Sequence, residues 1–398
     1  MERNTNLFYA VILFAAFFCA CSLGSCRRVG DPLTESLDSL MSTVFANGEP
    51  GATLIVSRGD SIVYERSFGL CNLATGKPMR PSTMMCLASS TKRFTAVAIL
   101  KLQLEGKLSL DDAITKYFPM LPEDVFGSVT LRHMLTQTSG IPDRRPTTPE
   151  EWRSYTANIK SVFGNNSDFL IYGREDELTA YLRQVDSLSF TPGTAFEKQN
   201  PPYMLLTSVI EQASGKNFET FMYDDIFEPA GLLSATFITP DSEILENVHS
   251  YRLAERAPKP GVFRSADGRW EEYDLGEAKY FLSRADRGLY MSAIDFSRWQ
   301  SIFLSDVLLT PDAVQELERP LVPTSFPGVS YNMGLYVVQK PGKPLKLYKR
   351  SAHGGFVAIE SLFPETGTSY VILSNRNDWD RKEMSDKLED ILHHHRLI

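Results

Sequence analysis

The sequence predicts an α/β (α+β) protein. One antiparallel sheet is built from both ends of the chain and flanked by helices, and a mainly helical lobe is inserted into it. Two observations predict this fold class. A helix and a β-hairpin pattern stand near the amino end, and two β-rich runs and a helix stand at the carboxyl end. Helical patterns broken by Pro- and Gly-containing loops fill the middle, which favours terminal segments that pair around an inserted lobe.

The amino-terminal elements follow from hydrophobic periodicity. In "PLTESLDSLMSTVFANG", Leu and Met recur at helical spacing before a glycine, which predicts a first helix from residue 32. The stretch "GATLIVSRGDSIVYERSFG" is two β-rich runs around Arg58-Gly59-Asp60, a hairpin signal. Residues 85 to 106 predict a short extended entry, a turn and a helix that stops at Gly106.

The remaining elements are predicted in the same way. Residues 107 to 320 show mostly helical patterns with irregular inserts. Next, "FVAIESLFPETGTSYVILSN" predicts two strands joined by a Pro-Glu-Thr-Gly turn, and "DRKEMSDKLEDILHHH" predicts an amphipathic last helix.

Composition limits the class of protein. The chain has 398 residues, 43% of them hydrophobic and 23% charged, which is ordinary for a soluble globular protein with a large core. The formal net charge is -8, and Lys and Arg are scattered along the chain. This pattern argues against nucleic acid as a partner.

The amino terminus indicates export. Fourteen uncharged, mostly apolar residues, "LFYAVILFAAFFCA", are too few to span a bilayer but suit a secretion signal. Leu23-Gly24-Ser25-Cys26 resembles the lipobox of bacterial lipoproteins, which predicts lipidation at Cys26, with Cys21 as the weaker alternative. We therefore expect a signal peptide over residues 1–26 and one domain over 27–398, anchored by lipid on the periplasmic or cell-surface side. A plain signal peptide or an uncleaved anchor stays open.

Two cysteines, Cys71 and Cys86, remain in the predicted domain. A disulfide is possible outside the cytoplasm, but burial as two small apolar side chains is the better expectation. Neither thiol is expected to take part in catalysis.

Ser89 and Lys92 in "SSTK" are the first candidate for chemistry. Three residues apart at a helix start, their side chains project from nearly the same face. A lysine can take the proton of a serine hydroxyl only if burial or a neighbouring cation holds it neutral. The positive end of the helix would also stabilise an alkoxide at Ser89. Alone, the motif is better explained by a helix cap with a surface lysine.

Six blocks in order give this motif its context. The chain resembles the serine β-lactamase-like superfamily over about residues 32 to 395, nearest to its class C β-lactamase, DD-peptidase and esterase branch. The blocks are "TMMCLASSTKRFTAVAILKLQLEGKLSLDDAITKYFP", "TLRHMLTQTSGIPD", "PGTAFEKQNPPYMLLTSVIEQASG", "FEPAGLLSATF", "DRGLYMSAIDFSRW" and "SAHGGFVAIESLFPETGTSYVILSN".

The resemblance implies roles for residues at matching positions. Ser89 would be the acylated nucleophile and Lys92 its partner. The third motif would be His353-Gly354-Gly355, opening an edge strand beside the nucleophile. The backbone N–H groups of Ser89 and Phe356 would form the oxyanion hole. No cofactor and no metal are implied.

Other histidines receive structural interpretations. His133 is expected to be structural, and the histidines at 393–395 are expected to form a polar helix end.

The second motif of the superfamily, Tyr-x-Asn, falls on Lys198-Gln199-Asn200. The resemblance implies that the Asn200 amide holds Lys92, but Lys198 replaces the proton-carrying tyrosine. If two neighbouring ammonium groups depress each other's pKa, a neutral lysine could serve as the base. Alternatively, Lys198 stays charged and the protein binds its ligand without turnover. Survival of the other motif residues favours the first hypothesis. Gln137 and Ala358 are softer departures, expected to concern packing.

The resemblance thus implies a cell-envelope serine hydrolase that acts through a Ser89 acyl-enzyme on a small amide, an ester or a D-amino-acid peptide. Its expected partners are a small-molecule or peptide substrate of the envelope and the membrane. An α/β-hydrolase, suggested by "HGGF", is rejected because the chain has no Gly-x-Ser-x-Gly elbow. Specificity is expected in the loops of residues 141–190 and 240–285.

Overall fold

The computed structural model describes residues 31–143, 178–179, 182–237, 244–254, 263–273 and 284–398. Across these ranges the largest sheet is antiparallel and has eight strands. In spatial order they are Val322–Pro323 (β10), Val329–Asn332 (β11), Leu335–Val338 (β12), Lys346–His353 (β13), Phe356–Phe363 (β14), Thr368–Ser374 (β15), Ala52–Arg58 (β1) and Ser61–Phe68 (β2).

The first and last strands of the chain are neighbours in this sheet. Strand β1 pairs with β15 from Ala52 opposite Ser374 to Arg58 opposite Thr368, and β2 follows as the outer hairpin strand. The predicted sheet from both termini is therefore confirmed. The lobe inserted between them contains the second motif.

Smaller sheets hold the lobe together. One pairs Leu70–Asn72 (β3) with Lys77–Pro78 (β4), and another pairs Tyr251–Leu253 (β7) with Trp270–Glu272 (β8). A third has the order Met84–Cys86 (β5), Leu289–Ser292 (β9), Thr236–Phe237 (β6). Because β5 pairs with β9, the segment that leads into Ser89 lies against the segment that follows Arg287.

The helices cover both faces of the main sheet. They are Pro32–Ser42 (α1), Thr91–Leu104 (α2), Glu123–Phe126 (α3), Leu131–Leu135 (α4), Pro201–Ser214 (α5), Phe218–Phe221 (α6), Ile244–Asn247 (α7), Arg284–Arg287 (α8), Ala293–Ser301 (α9), Pro311–Glu318 (α10) and Arg381–His394 (α11). Short 3-10 turns occupy Ala88–Ser90, Ile114–Lys116 and Ile302–Leu304, and a π-helical turn occupies Met222–Phe227.

The predicted stretch from 85 to 106 is confirmed as the end of β5, a 3-10 turn and α2, with Gly106 in the left-handed region at φ +70°. The predicted hairpin is confirmed as β1 and β2, and the last helix as α11. Asp380 caps α11 by accepting hydrogen bonds from the backbone N–H groups of Lys382 and Glu383 at 2.8 and 3.0 Å.

The main sheet separates two apolar cores. Because side chains alternate along a strand, Leu54 and Val56 of β1 face α1 and α11, whereas Ile55 between them faces α2 and the lobe. Cys71 and Cys86 are free and buried. Burial raises the pKa of the Cys86 thiol to about 12, so it is inert as a nucleophile at neutral pH.

The signal segment and the lipobox lie outside the described residues, as does most of the two expected specificity loops. Across the described ranges, none of the helices combines the length and the apolar character needed to cross a membrane.

A buried ion pair fastens α2 to the sheet. Arg93 Nη1 lies 2.5 Å from Glu360 Oε2 of β14 and 2.6 Å from Gln300 Oε1, and both charged side chains are 1% exposed. The guanidinium also lies 3.6 Å from the Phe303 ring centroid. At Gly334, an added Cβ would sit 2.9 Å from Arg93 Cα, so the turn between β11 and β12 packs directly on the α2 backbone.

We expect Glu360→Leu to destabilise the protein by about 3–5 kcal/mol, because it leaves the Arg93 charge buried without its carboxylate. Urea unfolding measures this. The double variant Arg93→Met/Glu360→Leu should regain most of the loss, and the exposed Glu65→Gln should stay within about 0.5 kcal/mol of the wild type. A wild-type midpoint for Glu360→Leu would contradict the proposed importance of this pair.

Candidate active site

Ser89 stands at the middle of the 3-10 turn between β5 and α2. Its neighbours Ala88 and Ser90 are buried, whereas Ser89 is only half-buried. Ala88 has φ +49°, a left-handed conformation that alanine rarely adopts and that is typical of strained functional turns. The turn therefore presents one hydroxyl group at the start of a helix, where the backbone N–H groups carry partial positive charge.

Lys92 lies one turn further along and is 1% exposed. Its Nζ donates hydrogen bonds to Asn200 Oδ1 at 2.9 Å and to the backbone oxygen of Asp286 at 3.1 Å. Asn200 directly precedes α5, whose first two residues are prolines. The structure thus brings together the lysine of the first motif and the asparagine of the second.

Asp286 is a residue that sequence reasoning missed. Its carboxylate is fully buried, with Oδ2 at 3.7 Å from Lys92 Nζ and 3.2 Å from Arg287 Nε. A buried carboxylate beside an ammonium favours the charged form of the lysine. The segment "RADRG" gives no local signal for this position, because an aspartate on a short helix is normally exposed.

Strand β13 approaches the nucleophile turn from the other side. Ser351 Oγ lies 3.1 Å from Ser90 Oγ. Pairing between β12 and β13 ends at Tyr348, so within the described part of the chain no strand pairs with residues 349–353 on that side. The expected edge strand at His353 is therefore corrected: His353 ends β13, which lies between β12 and β14, and only its last part is open.

The expected oxyanion donor on this strand also needs correction. Phe356 is the ladder partner of His353 across the two-residue turn Gly354-Gly355, which commits its N–H to the carbonyl across the turn. The same alternation turns the N–H of the exposed Ala352 toward the open edge. The β13 donor best placed for an oxyanion is therefore that of Ala352.

Gly354 and Gly355 allow the backbone conformation and the close packing of this turn. Gly354 has φ +58°. An added Cβ at Gly355 would meet the backbone N and O of Tyr251 at 2.4 and 2.5 Å, and its N–H donates to the Tyr273 oxygen at 3.1 Å. Only glycine permits this close approach of two backbones.

His353 is uncharged at neutral pH. Burial holds its pKa well below the usual range, and the charges of Arg287 and Lys92 lower it further. His133 is structural: it forms a reciprocal capping box with Thr130 at the start of α4. The histidines at 393–395 end α11.

Lys198 lies exposed on the loop that carries the second motif. Gln137, at φ +61°, holds the loop on both sides of it: its backbone oxygen accepts from Glu197 N at 3.0 Å, and its Oε1 accepts from Gln199 N. Gln137, which departs from the pattern of the superfamily, therefore holds the loop in place as well as packing against it. Tyr203 does not replace the missing tyrosine, because its hydroxyl donates to the Leu135 oxygen at 2.7 Å.

Lys349 is the second residue that sequence reasoning missed. It is 1% exposed, and its Nζ has no hydrogen-bond partner among the described residues. Burial lowers its pKa well below the usual range, and the charges of Lys198 and Lys92 lower it further, while Glu360 acts in the opposite sense. In "KLYKRSAH" the strand period places Lys349, Ser351 and His353 on one face, a signal that was available but conflicts with the usual exposure of lysine.

The comparisons with known proteins agree with this geometry. A family model described as Beta-lactamase matches residues 37–394. The chain belongs to the β-lactamase family. Within it, the protein is 30% identical over 198 residues to penicillin-binding protein 4* of Bacillus subtilis, a match that spans 50% of this chain and only 40% of that protein. It is 26% identical to the D-alanyl-D-alanine-carboxypeptidase/endopeptidase AmpH of Escherichia coli, over 96% of this chain and 95% of AmpH.

Solved structures share the fold of this family member. D-amino acid amidase from Ochrobactrum anthropi, complexed with L-phenylalanine amide, superposes with a TM-score of 0.71 at 19% identity, over 92% of this chain and 98% of that one. At this identity the likeness shows the fold alone. The family match over residues 37–394 makes the chain a serine hydrolase of the β-lactamase and penicillin-binding protein group.

We expect Lys349→Met to raise the free energy of unfolding at pH 7 by about 1–3 kcal/mol, because it removes a buried polar group without a partner. Because burial lowers the pKa of Lys349 in the folded state, the folded protein loses this proton at a lower pH than the unfolded chain does. Wild-type stability therefore rises with pH at this site, and the advantage of the variant should shrink as pH approaches about 10.4.

Urea unfolding between pH 7 and 10 checks this expectation. Lys346→Met is the matched control: Lys346 lies three residues earlier on β13 but pairs with Glu389, so its loss should not stabilise the protein. A Lys349→Met variant that is less stable than the wild type at pH 7 would show that Lys349 is held by a compensating interaction.

Proposed function

We propose that this chain hydrolyses a small amide or a D-amino-acid peptide of the cell envelope through an acyl-enzyme on Ser89. The observation that carries this proposal is the Ser89 turn itself. A half-buried serine on a strained turn lies beside a buried lysine that is hydrogen-bonded to Asn200. Such a grouping of nucleophile, amine and orienting amide is the arrangement that acyl transfer requires.

The proposed reaction uses groups that the fold already holds in place. Ser89 Oγ attacks the carbonyl carbon and passes its proton to a lysine amine. The N–H groups of Ser89 and Ala352 stabilise the oxyanion, a contribution worth about 3–4 kcal/mol per donor in related chemistry. The amine returns the proton to the leaving group, and water then hydrolyses the ester in a second cycle of the same steps.

The charge of the site supports an acyl donor that carries a carboxylate. The charges of Lys198 and Lys92 act on Lys349, and those of Arg287 and Lys92 act on His353, so three cations lie near the end of β13. The name of AmpH, a D-alanyl-D-alanine carboxypeptidase, and the activity of the amidase support amide bonds next to D-amino acids as the class to test first. Esters could be hydrolysed by the same steps.

Lys198 stands at the tyrosine position, and we include it in the proton-transfer system of this site. Its charge acts on Lys349, which supports mutual depression of lysine pKa values as the way in which a neutral amine is produced. The exposure of Lys198 favours a second candidate function, in which proton transfer is lost and the protein binds an envelope ligand without turnover.

The decisive experiment is intact-protein mass spectrometry after exposure to a fluorophosphonate or a penicillin. We expect one adduct on the wild type, located at Ser89, and none on Ser89→Ala, because Ser89 is half-buried on a strained turn and lies one helical turn before Lys92. Ser90→Ala is the matched control, since Ser90 is buried and bonds Ser351; it should still be labelled. Folded wild-type protein that gains no adduct with either reagent would favour the binding function.

The envelope location is proposed from the amino-terminal sequence. The apolar segment and Leu23-Gly24-Ser25-Cys26 support export and lipid anchoring of the single domain that follows. We expect metabolic labelling with radioactive palmitate to mark the wild type and Cys21→Ser but not Cys26→Ser. Label that persists in Cys26→Ser and disappears in Cys21→Ser would place the anchor at the alternative cysteine.

A further inference from the structure

The three lysines of the site differ in their surroundings, and the geometry points to a division of roles between them. We propose that Lys349 is the uncharged amine that takes the proton from Ser89, whereas Lys92 stays charged throughout and acts as an electrostatic stabiliser. This inference rests on the proposed function, because it requires acylation at Ser89.

Lys92 is surrounded as a cation should be. An ammonium group has three donors and no acceptor. Around Lys92 Nζ the acceptors are Asn200 Oδ1 at 2.9 Å, the Asp286 backbone oxygen at 3.1 Å and the Asp286 carboxylate at 3.7 Å. Because Asp286 is fully buried, a neutral Lys92 would remove charge compensation from that carboxylate. Proton loss from Lys92 is therefore disfavoured.

Lys349 is surrounded as a neutral amine should be. It is as buried as Lys92, but no acceptor among the described residues bonds its Nζ. The carboxylate of its cross-strand partner Glu360 is bonded through Oε2 to Arg93 Nη1 at 2.5 Å and to Gln300 Nε2 at 3.1 Å, and its Oε1 has no hydrogen-bond partner among the described residues. Glu360 therefore forms no hydrogen bond with Lys349 and acts on its charge only from a distance.

The remaining groups that face Lys349 do not restore its charge. The rings of Tyr331 and Tyr336 have centroids 5.1 and 5.4 Å from Nζ, near the outer limit of a cation–π contact. Both hydroxyls have pKa values raised by burial, so neither supplies an anion. Lys92 from α2 and Lys198 from the second-motif loop act as like charges. Two repelling cations and full burial outweigh two distant rings.

Lys349 is also within reach of the reaction. Ser351, two residues later on the same face of β13, contacts Ser90 at 3.1 Å, so Lys349 lies about 7 Å further along the strand from the nucleophile turn. The charge of Lys92, one helical turn from Ser89, acts on Lys349, which places the Lys349 amine on the same side of the sheet as the nucleophile turn. In the proposed step the Ser89 O–H bond breaks, the bond from Oγ to the acyl carbon forms, and Lys349 becomes an ammonium. When the bond to the leaving group breaks, Lys349 returns the proton to it.

The test follows the rate of fluorophosphonate labelling at Ser89 by intact mass between pH 5 and 10. We expect Lys349→Met and Lys349→Arg both to slow labelling by about 100- to 10,000-fold, since neither side chain can accept a proton at neutral pH. Lys346→Met, on the same strand but paired with Glu389, should label at the wild-type rate. Lys198→Met should move the acid limb of the pH profile to higher pH, because one of the repelling charges is gone.

A second readout does not depend on labelling. In protein that carries ¹³Cε-lysine, the signal that is lost in Lys349→Met should show the shift of a neutral amine at pH 7. Wild-type protein that gives this signal but no adduct would refute the proposed function and leave the charge assignment of Lys349 supported.

Two results would overturn the inference: wild-type labelling rate and pH profile in Lys349→Met, or a charged Lys349 signal at pH 7. An unmoved acid limb in Lys198→Met would refute the coupling of Lys198 to Lys349.

Discussion

The buried pair between Arg93 and Glu360 is the interaction on which the rest of the site depends. It joins the helix that begins beside Ser89 to the central strand β14, and it lies one residue from Lys92. Removing two such charges from water costs several kcal/mol per ion, which only good geometry and further hydrogen bonds offset. The main effect of the pair is therefore to position α2 against the sheet, and its net contribution to stability is smaller.

The same pair influences the chemistry at a distance. Glu360 is bonded to Arg93 through Oε2, and among the described residues it forms no hydrogen bond with Lys349 directly across the ladder. Asp286, in contrast, neutralises Lys92 from the opposite side of the site. Among the described residues, two buried carboxylates are thus paired with Arg93 and Lys92, and Lys349 is left without one. The order of charges in the site follows from packing.

Much of the fold and part of the site could be predicted from the sequence, because their signals are local. Periodicity and turn residues identify the strands and helices, and the contact between Lys92 and Asn200 follows from motif positions. The roles of Asp286 and Lys349 could not be predicted, since burial of a charged side chain is decided by tertiary neighbours. Phe356 was a wrong choice for a similar reason: which backbone N–H is left open depends on hairpin register, and residue identity does not encode it.

The open edge of β13 has a consequence of its own. An unpaired strand edge is a template for any extended chain, whose N–H and C=O groups can continue the ladder. Among the described residues the edge at 349–353 has no strand partner on this side, and Ser351 on it contacts Ser90, the neighbour of Ser89. In natural proteins such edges are usually short, charged or covered, which prevents self-association. Here the edge has to stay available, so solubility must be protected elsewhere, and the net charge of -8 supplies a general repulsion between copies of the chain.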